Sequence, residues 1–185
     1  MSSSLIKVDE FTVSSPVASV TLGGGSSGSS TLNASIDSTY DVYMVLLRNV
    51  QGSSDSVSLK ERFTVSGTPQ TTNKYDYAVK TVRDTGSFSN NTASNGTELF
   101  VNTQTAMGTG TGETLQGVRY LFGFPNASEF SFVTMEMVFT DFDGSARGGQ
   151  GGGVYTNAEA HDGVNYFFAS GNIASGHFVL YGIRK

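Results

Sequence analysis

The 185-residue chain holds 25 Ser, 20 Thr and 23 Gly beside 13 Phe and 8 Tyr, and only 15% of it is charged. So many aromatic and β-branched residues bury surface against the entropy of ordering, which excludes disorder throughout, and the length suits one domain with an appended arm. A net charge of −5 argues against nucleic acid as a partner, and the absence of Cys removes disulfides and thiolate metal sites.

The opening MSSSLIKVDEF has no basic region leading into a long apolar run, and no stretch of 18 apolar residues follows, so neither a Sec-type signal nor a membrane partner is expected. Residues 1–16 read as an N-terminal arm and 17–185 as a single domain. Apolar spacing at i, i+3, i+4 and i+7 is nearly absent. What remains is a succession of short β-type runs separated by turn residues.

The runs are 17–22, followed by the flexible glycine-serine stretch 23–28, then 31–36, 40–50 (YDVYMVLLRNV), 56–65 (SVSLKERFTV) and 74–82 (KYDYAVKTV). Residues 83–117 are polar. One or two polar strands are expected there, centred on 97–102, with an exposed excursion at 106–112, and Asn95-Gly96 suits a two-residue hairpin turn. Runs at 118–124, 129–142, 164–170 and 176–183 follow, with ARGGQGGG between the second and third reading as a mobile or tightly turned segment. The total is eight to ten strands, an all-β antiparallel β-sandwich of jelly-roll-like type.

Several runs are apolar on both faces. Val42, Met44 and Leu46 oppose Tyr43, Val45 and Leu47; Phe130, Phe132 and Val138 oppose Val133, Met135, Met137 and Phe139; Phe178 and Leu180 oppose Val179, Tyr181 and Ile183; Val164, Tyr166 and Phe168 oppose Phe167 and Ala169. A side chain of this size left in water forfeits about 1.5–3 kcal/mol, and a cluster of them is rare on a soluble monomer. Either the 83–117 excursion or the arm folds over the second face, or another subunit does. The second reading is preferred, with symmetric association the default.

Catalytic and metal chemistry finds little support. Asp141, Asp143, Glu159, His161 and Asp162 gather oxygen and imidazole groups within about twenty residues, but their spacing matches no calcium loop, and Asp143-Gly144 and Asp162-Gly163 suit turns. Asp141 with Glu159 is the one carboxylate pair to weigh for a polysaccharide hydrolase, and His161 and His177 are the imidazoles available as a base. The glycine runs at 23–25 and 151–153 lack the Gly-Lys-Ser/Thr of a phosphate loop. The Asn-x-Ser/Thr matches at Asn33, Asn90, Asn95 and Asn126 are what chance supplies in such a composition. Tyr75, Tyr77 and Tyr155, if exposed, could stack on sugar rings. No catalytic, cofactor-binding or metal residue and no cofactor is expected.

The C-terminal VNYFFASGNIASGHFVLYGIRK, with its aromatic strand, Ser170–Gly176 connection and terminal strand, resembles the endings of small virion structural proteins of tailed bacteriophages, especially marine and cyanobacterial ones; Ile36-Asp37-Ser38-Thr39-Tyr40-Asp41-Val42-Tyr43 is similar to the same family's second signature. The glycine-rich loops at 23–28 and 147–153 depart from its typical members. The resemblance implies a β-sandwich subunit without enzymatic activity in head decoration, head fibres or tail fibres, often trimeric. The expectation is therefore an oligomeric capsid decoration or cement subunit on the virion, a trimer bound to the major capsid protein or another virion protein, with residues 1–13 adding contacts to the shell by strand pairing. The alternative is a tail-fibre or receptor-binding module that contacts a host glycan.

Overall fold

In the computed structural model, which describes residues 4–24, 34–102 and 107–184, every regular element is a strand. They are β1 (Leu5–Thr12), β2 (Ser19–Gly23), β3 (Val42–Gly52), β4 (Leu59–Val65), β5 (Thr68–Pro69), β6 (Tyr75–Arg83), β7 (Phe88–Gly96), β8 (Leu99–Phe100), β9 (Leu115–Phe122), β10 (Ser131–Thr140), β11 (Ala146–Tyr155), β12 (Gly163–Phe168) and β13 (Ile173–Ile183). The larger sheet runs β1-β13-β3-β9-β10-β11-β6-β7; the smaller runs β2-β12-β4, and the far edge of β4 takes β8 at one end and β5 at the other. All pairings are antiparallel.

β1, β13, β3 and β9 in the larger sheet face β2, β12, β4 and β8 in the smaller. Numbered one to eight along the chain, these strands lie in the orders 1-8-3-6 and 2-7-4-5, the paired Greek keys of a jelly roll. The larger sheet then continues past β9 through the hairpins β10–β11 and β6–β7.

The inner faces follow the two-residue period. Tyr43, Val45 and Leu47 of β3, Val133, Met135 and Phe139 of β10, and Val164, Tyr166 and Phe168 of β12 are buried together. The β9 and β4 inward slots also hold Arg119 and Glu61, whose Nε–Oε2 distance is 3.0 Å with both side chains sealed from solvent. Burial raises the Glu61 carboxyl above its ordinary pKa, and the guanidinium opposes that rise.

Thirteen strands exceed the eight to ten expected, for identifiable reasons. β1 lies within the segment read as an arm. It pairs along β13 and sinks Val8 and Phe11 into the core, while Asp9, beside a bulge, points inward and accepts the Gly23 amide at 2.8 Å. ARGGQGGG, read as a mobile or turned segment, is most of β11. Its odd-numbered glycines sit between large inward residues: Gly151 between Met135 and Val79, Gly153 between Val133 and Tyr77. A Cβ at Gly151 would collide with the Ala78 carbonyl oxygen and approach Val79 Cα to 2.7 Å; one at Gly153 would meet Leu99 Cδ2 at 2.7 Å.

The 83–117 region supplies β7 at a sheet edge and the two-residue β8 in place of a strand over 97–102. Asn95-Gly96 makes no hairpin turn: Asn95 alone of the two has positive φ, at 55°, and the pair closes an irregular end of β7 against Tyr75. Residues 109–112 are exposed as expected, but Met107 is fully buried and bridges Val57 and Asp141; 103–106 lie outside the described residues. The strand expected at 31–36 lies partly outside them too, and 34–36 form none.

Gly151→Ala is expected to destabilise by about 1–3 kcal/mol through overpacking, whereas Gly148→Ala, which has no atom within 4 Å of its new Cβ, should be neutral or slightly stabilising in urea unfolding. Arg119→Met should cost about 3–5 kcal/mol by stranding Glu61, and the double variant Glu61→Leu/Arg119→Met should recover most of that loss in the same experiment.

Candidate interaction surface

Because strand side chains alternate, the outer face of the larger sheet is specified residue by residue by the ladder registers. One row runs Leu5, Ile183, Val42, Phe122, Phe132, Val154 and Asp76 across β1, β13, β3, β9, β10, β11 and β6. The next carries Tyr181, Met44, Tyr120, Thr134, Gly152 and Ala78. A third carries Val179, Leu46, Val118, Glu136, Gln150 and Lys80, and a fourth Gln116, Val138, Gly148, Val82 and Phe88.

The two-faced runs read from the sequence are therefore real. Val42, Met44, Leu46, Tyr181 and Ile183 are half-buried by their neighbours, while Phe132, Val138, Val82 and Phe88 are 49%, 51%, 49% and 65% exposed. Neither candidate cover from the same chain lies over this face among the described residues. β1 and β7 are the edges of the sheet itself, and β8 and Met107 pack on the inner side. Gly148 leaves a groove of about 800 Å³ bordered by Leu46, Val118, Val138 and Val82.

The acidic group is not one site. Asp141, buried at the end of β10, accepts the Asp143 and Ser145 amides and pairs with Arg147; Asp143 pairs with Arg83. Glu159, His161 and Asp162 belong to the other end of β10, where His161 Nδ1 lies 2.8 Å from Ser131 Oγ, and Asp162 binds the Thr64 hydroxyl at 2.7 Å and the Gly67 amide at 3.0 Å. Ten strand residues, about 30 Å, lie between these ends, so Asp141 and Glu159 cannot act on one bond. No group of three or more His, Asp or Glu among the described residues is placed to hold a metal ion.

Tyr75, Tyr77 and Tyr155, considered for sugar stacking, are core residues, 0%, 6% and 1% exposed. Inward positions on β6 and the end of β11 put them there. Gly23 and Gly24 have φ of 73° and 76° at the turn after β2, and the Gly24 amide donates to the Asp162 carbonyl at 2.7 Å. His177 lies on the outer face, its Nε2 3.4 Å from Glu10 Oε2 and its Nδ1 against Arg48.

His161 is enclosed by the rings of Phe63, Phe124 and Tyr155, with centroids 5.3, 5.6 and 4.8 Å away. Desolvation lowers its pKa to about 4, outweighing the attraction of Glu159, 3.8 Å from Nε2, and of Asp162. Such an imidazole is neutral at pH 7 and sealed from a substrate.

The Arg119–Glu61 pair was not expected from the sequence, although in LQGVRYLF and LKERFTV Arg119 and Glu61 share the parity of the buried apolar residues. No protein-family model matches the chain, and no curated protein matches it.

A histidine whose folded pKa lies below its unfolded value of 6.5 contributes stability above pH 6.5 and loses it as pH falls toward 4. Unfolding free energy is expected to drop by about 2–3 kcal/mol between pH 6.5 and 4.5. His161→Phe should flatten that slope in denaturant titrations at each pH. Glu98, held down to about 2 with Lys60, Thr97 and Arg62 as hydrogen-bond partners, loses its contribution only at lower pH, from 4.5 toward 2.

Proposed function

We propose that the chain is a non-enzymatic structural subunit of a tailed-bacteriophage particle, an oligomeric capsid decoration or cement protein that buries the outer face of its larger sheet against a neighbour. The observation that carries this reading is the open apolar face itself. A sheet with one solvated side ordinarily presents polar residues there. This one presents Phe132, Val138, Val82 and Phe88, which suits burial in an assembly.

The phage assignment is supported by the two signatures. They are neighbours in space: β3, which the second signature opens, pairs with β13, and the Tyr40 ring occupies the space where a Cβ on Gly182 would lie. Tyr40 also meets Tyr43 edge-on at 5.5 Å, and the Tyr43 hydroxyl donates to the Asp37 carbonyl at 2.8 Å, so the signature residues form a single packed corner. A trimer and a major capsid protein partner are what the resemblance adds. The sheet face adds a route of attachment beside the N-terminal segment, whose β1 pairs with β13 on one side and forms the sheet edge on the other. With Tyr75, Tyr77 and Tyr155 in the core, the glycan-binding alternative loses the tyrosines it rested on.

Heads of the encoding phage stripped of this protein should regain full occupancy when purified subunit is added. The double variant Phe132→Asp/Val138→Asp, shown folded by its unfolding transition, should rebind about tenfold more weakly or worse. Rebinding to tails alone would remove the capsid assignment, and undiminished rebinding by the variant would remove the face from the mechanism.

A further inference from the structure

We infer that a second copy of this chain covers the β10–β11–β6 part of the outer face, related to the first by a two-fold axis running along β11, a dimer contact in place of the trimer that the resemblance implies. This rests on the reading of that face as an assembly surface and specifies what docks there.

The first observation is a pair of opposite charges. Glu136, Gln150 and Lys80 stand side by side in one ladder row, so an acid and a base flank the middle strand of an otherwise apolar patch. β11 separates them, and among the described residues neither is in an ion pair; Lys80 Nζ instead sits 4.4 Å above the exposed Phe88 ring. Rotation by 180° about β11 exchanges the β10 and β6 sides. Lys80 then faces the second copy's Glu136 twice over, Val82 faces Val138, Ala78 faces Thr134 and Gln150 faces itself. A two-fold axis laid across the strands would set Lys80 on Lys80 and Glu136 on Glu136, so charge selects the axis along β11. Isologous pairing of this kind is the commonest closed symmetry.

The second observation is Gly148. Inward packing explains Gly151 and Gly153, but nothing in the monomer lies within 4 Å of a Cβ at Gly148. Its outward position falls on the axis, between Val138 and Val82, where the two sheets come together. Under this axis Gly148 faces its own copy, so Val138 and Val82 can close on the facing Val82 and Val138 with no side chain between them at the axis in that row.

The test uses charge reversal and a single thiol in the cysteine-free chain. Lys80→Glu and Glu136→Lys should each raise the dissociation constant of the self-associated species by about tenfold or more, and the double reversal should bring it back to within about threefold of wild type in sedimentation velocity. Gln150→Cys should be joined to its own copy by a short bismaleimide. A protein that is monomeric at tens of micromolar, single reversals without effect, a double reversal that restores nothing, or an associated Gln150→Cys protein that fails to cross-link would each overturn the two-fold pairing. If that pairing fails while Phe132→Asp/Val138→Asp still abolishes rebinding to particles, the assembly reading stands without it. If the variant also rebinds normally, that reading fails as well.

Discussion

A strand inside a sheet has two faces, and the larger sheet here is sandwiched on one of them. The smaller sheet and the β8 segment cover its inner side, where Phe63, Tyr75, Phe124, Tyr155 and His161 close into one ring cluster. The opposite side has no cover among the described residues, yet most of its rows are apolar. Extension of the sheet past β9 makes that side wider without supplying anything to shield it. Both the assembly reading and the two-fold pairing descend from this imbalance.

The extension depends on β11. Flanked by β10 and β6, both rich in large inward residues, it must offer almost no volume, and alternate glycines meet that demand where Leu99 and the Ala78–Val79 backbone come closest. Glycine in a strand interior costs conformational entropy, here offset by ladders on both sides and by close approach of the neighbouring chains. Between the sheets, Arg119 and Glu61 set a different constraint. A buried pair of this kind adds little net stability but penalises any register in which one charge lacks the other.

Much of the fold was legible. Alternation located β3, β4, β6, β9, β10, β12 and β13 to within a few residues, since most of their inward positions are apolar, Glu61 and Arg119 being exceptions. β11 was not legible, because a run of glycines has no side chains to show a period; its neighbours make it a strand. β1 was hidden by its bulge and inward Asp9, which break the pattern at an edge. Asn95 has the positive φ that its residue type allows, but the chain uses it to end a strand rather than reverse it. The acidic group of 141–162 looked local because sequence distance is a poor guide across a hairpin: Asp141 and His161 sit at opposite ends of β10.

The amino-acid pattern by itself determined an all-β protein whose strands are apolar in both directions, because parity along a strand depends on the chain alone. Which parity points inward, which strands adjoin, and that Glu136 and Lys80 flank a glycine strand on an open face were settled by the tertiary structure. Strand neighbours are chosen by ladders between residues far apart in the chain, and nothing in a local alternation encodes the partner.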